Sequence, residues 1–110
     1  MNGNERLLRQ ELLSRIKATV LAVAPDAEVS LYGSRARGDA RAESDWDMLI
    51  LLPETPTREL QGRIRHSLNL IEWETGQVIT TVLYSMQEWE REDRRSIPFR
   101  RNVRAEVIRL

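Results

Sequence analysis

Residues Tyr32–Leu52 read YGSRARGDARAESDWDMLILL, and the end of this stretch decides the fold. Met48-Leu49-Ile50-Leu51-Leu52 is apolar at every position, so both faces of the segment must be covered, as in a buried central strand. Strand side chains alternate, which sets Asp45 and Asp47 on one face and sends Trp46 the other way, into the core. Two carboxylates on one face at the mouth of a buried strand are costly unless a cation neutralises them. Hard oxygen ligands of this kind suit magnesium, which usually arrives with substrate phosphates.

On the N-terminal side, Val29-Ser30-Leu31-Tyr32 reads as a short strand. Gly33 follows it where the backbone must turn or approach a ligand closely. Ser34 stands where a short helix begins, with Arg35-Ala36-Arg37 as its first turn and Gly38 as its stop. A helix start offers free N–H groups and a positive dipole end to an anion. Phosphates at Gly33-Ser34 and a metal at Asp45 and Asp47 would together be one nucleoside triphosphate bound across two elements.

Gly33-Ser34, ten intervening residues and then Asp45-Trp46-Asp47, with Ala36-Arg37-Gly38 and Ser44 between, form a pattern that resembles the minimal nucleotidyltransferases. These are small members of the polymerase-β-like superfamily, and the resemblance covers the chain from Leu7 onward. It implies a nucleotidyltransferase fold, an α/β (α+β) domain with a small mixed sheet and helices packed against it. It also implies magnesium, ATP or another nucleoside triphosphate, and transfer of a nucleotidyl group to an acceptor hydroxyl. Asp45 and Asp47 take the metal and catalytic role in that pattern. Gly33, Ser34 and Arg37 take the nucleotide, with Arg41 a weaker member of the same loop. Alone, Arg35, Arg37 and Arg41 read as an ordinary solvated loop.

The rest of the chain reads as support. At 110 residues it matches the commonest size of a single domain, so residues 1–110 are expected to form one. The 17 basic and 17 acidic side chains cancel, so no broad attraction to nucleic acid is implied, although an RNA end stays open as an acceptor. Sixteen of the 17 basic residues are arginine, the side chain suited to forked phosphate contacts. The chain has no cysteine, which excludes disulfides and thiolate metal sites. No apolar run reaches the roughly 20 residues of a membrane span and no signal peptide is visible, so a cytoplasmic protein is expected.

Leu8, Leu12, Ile16, Val20 and Val23 recur at helical spacing and predict a helix over Glu5–Val23, ended by Pro25. After the breaker Pro53-Glu54-Thr55-Pro56, Thr57 is an expected N-cap for a second long helix with Leu60, Ile64, Leu68 and Ile71 on one face. The single histidine, His66, projects away from that face and reads as solvated. Gly76 marks a turn, and Gln77–Tyr84 is rich in β-branched residues and reads as the third strand. A charged helix is expected over Met86–Arg94, then a loop at Pro98 and a short final strand over Glu106–Arg109. Trp73, Trp89 and Phe99 either fill the core or complete a patch for a partner.

One departure from the family pattern lies in the third strand, where active members carry a further aspartate followed by an apolar pair. This chain has Val78-Ile79-Thr80-Thr81-Val82-Leu83-Tyr84 there, with no acid. Thr81, followed by Val82-Leu83, best matches the aspartate position, with Thr80 the alternative; Glu72 and Glu74 are acids just before the strand. A threonine hydroxyl cannot act as a base near neutral pH. Two readings follow: an enzyme, or a catalytically weak nucleotide-binding partner. The resemblance gives the second a concrete form, the antitoxin half of a pair with a HEPN-domain protein. A homodimer is compatible with either.

Overall fold

The computed structural model describes residues 3–91 and 103–110. In chain order the elements are α1 (Gly3–Val23), β1 (Glu28–Tyr32), α2 (Ser34–Arg37), β2 (Trp46–Leu52), α3 (Arg58–Thr75), β3 (Ile79–Ser85), α4 (Met86–Glu90) and β4 (Ile108–Arg109). Residues 103–106 are also helical. The four strands form one mixed sheet in the order β3-β2-β1-β4. β1 is antiparallel to both of its neighbours, and β2 is parallel to β3. A parallel pair needs a crossover, and α3 supplies it.

β2 is the buried centre that its composition predicts: Trp46 and every residue from Met48 to Leu52 are buried, and only Asp47 is half-buried. Its alternation divides the interior in two. Trp46, Met48, Ile50 and Leu52 pack with Val29 and Leu31 of β1, with Leu12, Ile16 and Val20 of α1, and with Ile64, Leu68 and Ile71 of α3. Leu49 and Leu51 face the opposite side, against Trp89 and Val103, with Tyr32, Val82 and Tyr84 around them. Asp47 shares the parity of Leu49 and Leu51, so its carboxylate lies on the side away from the two long helices.

The helix boundaries follow local chemistry. The Thr57 hydroxyl accepts the Leu60 N–H at 3.1 Å and starts α3, and Gly76, at φ 73°, ends it. Ser85 and Glu88 cap each other's backbone at the start of α4. The expected helix over Met86–Arg94 is shorter, because Arg91 is already extended after Glu90; residues 92–94 lie outside the described residues. The loop at Pro98 and Phe99 lie outside them too. The expected final strand over Glu106–Arg109 shrinks to Ile108–Arg109. Val107 N–H bonds to the Val103 carbonyl at 2.8 Å and keeps Glu106 in a helical turn. Trp89 is buried in the smaller cluster, whereas Trp73 is 90% exposed and His66 is exposed. Among the described residues no helix is long and apolar enough to cross a membrane.

Candidate active site

The site is built where β1 ends beside the start of β2. Antiparallel register sets Tyr32 opposite Asp47, so the turn that follows Tyr32 passes directly over the Asp47 side chain. Gly33 makes that turn at φ 74°, ψ −159°, a conformation essentially reserved for glycine. A β-carbon at Gly33 would collide with an Asp47 carboxylate oxygen and stand 3.1 Å from the carboxylate carbon. The Gly33 carbonyl then accepts the N–H groups of Ala36 and Arg37, each at 3.0 Å, and α2 begins. Gly38, at φ 88°, closes α2 by donating to the Ser34 carbonyl.

Around this turn lies an open cleft of about 770 Å³, lined by Tyr32, Gly33, Ser34, Arg37 and Asp47 together with Val103, Ala105 and Glu106. Thus Gly33, Ser34, Arg37 and Asp47, read from the sequence as one site, share one cleft. Asp45 lies just before β2 on the same side as Asp47 and outside this lining. Arg41 is exposed in a turn closed by the Ser44 hydroxyl and does not line the cleft.

The electrostatics fit a cation beside an anion cradle. Burial pushes the Asp47 carboxyl above its ordinary value, and the nearby Asp45 charge pushes further; Arg37 opposes this and Glu106 adds to it. The Tyr32 hydroxyl is pushed up to about 12 by burial and then by Asp47, so it stays protonated. Among the described residues no three acidic or histidine groups converge on one point. Asp45 and Asp47 are hard oxygen donors on one side of β2 and could hold a divalent cation there.

Two side chains have positions that the sequence did not disclose. Arg35 reads as a solvated loop residue, yet its guanidinium lies 4.2 Å from the centroid of the Trp46 ring. It also donates to the carbonyls of Ala42 at 3.2 Å and Ser44 at 3.0 Å. It thereby ties α2 to the loop that delivers Asp45. Glu106 accepts the Gly33 N–H at 3.0 Å through Oε1 and bonds Arg37 Nη1 at 2.9 Å through Oε2. No local pattern could have announced this contact, because Gly33 lies 73 residues earlier.

The third-acid position is corrected. Parallel register sets Thr80, not Thr81, opposite Asp47, and the Thr80 hydroxyl donates to Asp45 Oδ2 at 3.1 Å. Thr81 pairs with Met48 and faces α3, where its hydroxyl accepts from Arg65 Nη1 at 2.7 Å. The two earlier acids are engaged elsewhere: Glu72 accepts the Ile79 N–H at 2.9 Å, and Glu74 is paired with Arg15.

Residues 8–103 match the family model described as a nucleotidyltransferase domain. A protein of Methanocaldococcus jannaschii, provisionally named a protein adenylyltransferase, is 39% identical over 56 residues. That match covers 49% of this chain and 57% of the relative, so the chain spans little more than half the length of that curated protein.

Proposed function

Since the chain belongs to the nucleotidyltransferase domain family, we propose that it binds magnesium with a nucleoside triphosphate, ATP foremost, and transfers the nucleotidyl group to an acceptor hydroxyl. Nucleotidyl transfer is the chemistry of the family; the metal, the nucleotide and the residue roles are our reading. The observation that carries it is the packing of the Gly33 turn onto the Asp47 carboxylate, which supports a phosphate at the turn sharing a cation with Asp47.

In this reading Asp45 and Asp47 would hold the metal, which when bound offsets negative charge on the phosphoryl group in transfer. The Gly33 N–H, the Ser34 hydroxyl and the Arg37 guanidinium hold and orient the phosphates. Tyr32, kept protonated, walls the cleft beside Asp47. The name of the archaeal relative favours a protein hydroxyl as acceptor. An RNA end is less favoured, given balanced charge. The proposal takes residues 1–110 as one domain acting in the cytoplasm.

A second reading is favoured by one observation, the neutral Thr80 beside Asp45 where active members hold an acid. The chain would then be a slow or inactive nucleotide binder that partners a HEPN-domain protein as an antitoxin.

Calorimetric titration with ATP and magnesium tests the shared core of both readings. Asp45→Asn and Asp47→Asn should each weaken magnesium-dependent binding at least tenfold without unfolding the protein. Unchanged affinity in both variants would remove these residues from the site. Incubation with labelled ATP, magnesium and candidate acceptors then separates an enzyme from a binder.

A further inference from the structure

The two groups best placed to take a phosphate, the Gly33 N–H and the Arg37 guanidinium, are both held by one carboxylate. Glu106 presents one oxygen to each, as two oxygens of a phosphate would. We propose that Glu106 is a built-in competitor for the phosphate cradle, an internal anion that a polyphosphate must displace in order to bind. The proposal rests on the reading of this cleft as a nucleotide site.

The geometry favours displacement of a side chain over release of a segment. Val103 is buried in the smaller core cluster, and Val107 N–H bonds to its carbonyl at 2.8 Å. Beyond Glu106, Ile108 pairs with Leu31, and Leu110 N–H bonds to the Val29 carbonyl at 2.9 Å. The backbone is therefore anchored on both sides of Glu106 while its side chain, 18% exposed, borders an open cleft. Rotation about side-chain bonds is enough to free both donors. Both Glu106 oxygens are engaged by Gly33 and Arg37, so in this arrangement the side chain acts toward the two donors and not toward Asp45. An anion entering the cleft meets donors already satisfied by a charge of the same sign, so its apparent affinity falls by the fraction of time that Glu106 occupies them.

The test titrates inorganic tripolyphosphate, without metal, into ¹⁵N-labelled full chain while following the Gly33 and Arg37 amide resonances. Glu106→Gln should bind about tenfold more tightly than wild type, the gain expected if Glu106 holds its donors about nine-tenths of the time. Glu106→Asp, whose carboxylate is held one methylene further from the donors, should move the same way and serves if the first variant does not fold. Asp39→Asn is the control, because Asp39 also pairs with Arg37, at 3.2 Å, but does not reach Gly33. It should gain clearly less. Equal gains from Asp39→Asn and Glu106→Gln would reduce the effect to general charge and overturn the proposal. Unchanged or weaker binding in the Glu106 variants, or no response at Gly33 in any form, would overturn it too. A parallel titration of magnesium-ATP into wild type and Asp47→Asn separates the two readings. Equal binding there defeats the nucleotide site, while the tripolyphosphate arm still reports whether Glu106 guards the cradle.

Discussion

The Asp47 carboxylate occupies the space that a β-carbon on Gly33 would fill. The two residues belong to different strands' ends, and each sets a limit on the other. Gly33 must lack a side chain for Asp47 to turn into the cleft. The turn at φ 74° independently requires glycine.

Gly33→Ala should therefore fail twice. Backbone strain in this region costs of order 1–3 kcal/mol, and the collision displaces Asp47 as well. Denaturant unfolding should show the loss of stability, and calorimetry the loss of magnesium-ATP binding. Ser34→Ala should be milder, removing one hydroxyl contact worth about 0.5–1.5 kcal/mol, or more against a charged phosphate. A reversed order of the two losses would mean that phosphates do not lie over this turn.

Asp47 gives stability a pH dependence of definite sign. Its folded pKa lies above the ordinary 3.8, so the native state holds this proton more tightly than the unfolded chain. The contribution is fully present below 3.8 and is lost as pH rises through the elevated folded value. Without metal, Asp47→Asn should melt higher than wild type at pH 7, and the difference should shrink as pH falls toward the ordinary carboxylate range. A wild-type melting point that gains more from rising pH than that of the variant would contradict this.

Thr80→Asp should restore a third carboxylate beside Asp45 and opposite Asp47. The metal-free variant should lose stability from like-charge repulsion and recover it with magnesium. Transfer should rise at least tenfold, a cautious share of the roughly 10²–10⁴ that general acid–base catalysis contributes. Thr81→Asp faces Arg65 instead and should leave transfer unchanged. A labelled-nucleotide assay with melts alongside checks both, and rescue by Thr81→Asp alone would contradict the observed register.

Arg35→Ala should destabilise the protein by about 1–3 kcal/mol, since it removes charged hydrogen bonds to two carbonyls and the stack on Trp46. Hydrogen exchange should speed up over residues 42–46, and magnesium-ATP binding should weaken through Asp45. Arg35→Lys should recover little, because a point charge cannot bridge both carbonyls and lie flat on the ring. Exchange rates unchanged in that loop would refute the tie.

What the sequence disclosed was what neighbouring residues determine. The continuous apolar run after Asp47 announced β2, the opposing parity of Trp46 and Asp47 announced their faces, and Thr57 and Gly76 announced the ends of α3. Gly33, Ser34 and Asp47 were legible together from the spacing of the Gly-Ser and Asp-x-Asp pairs, and the antiparallel register of β1 with β2 is what sets them around one cleft. Thr80 and Thr81 could not be told apart, since parallel register is set by how the α3 crossover packs and not by either strand alone. Glu106 was invisible for a related reason: its partners lie 73 and 69 residues earlier, and a helical turn replaced the strand that its neighbours suggested. Arg35 looked solvated because nothing local said that Trp46 would lie beneath it.

The unequal division of the interior has a thermal consequence. Among the described residues, the side backed by α1 and α3 buries fourteen residues in one cluster, whereas the other side buries four, Leu49, Leu51, Trp89 and Val103. Local opening free energy follows the density of buried apolar contact, so the smaller side should loosen first. Val103 and Tyr32 belong to that side and also wall the cleft. Ligand binding would then fade on heating before the helical signal does, the cleft opening locally ahead of global unfolding.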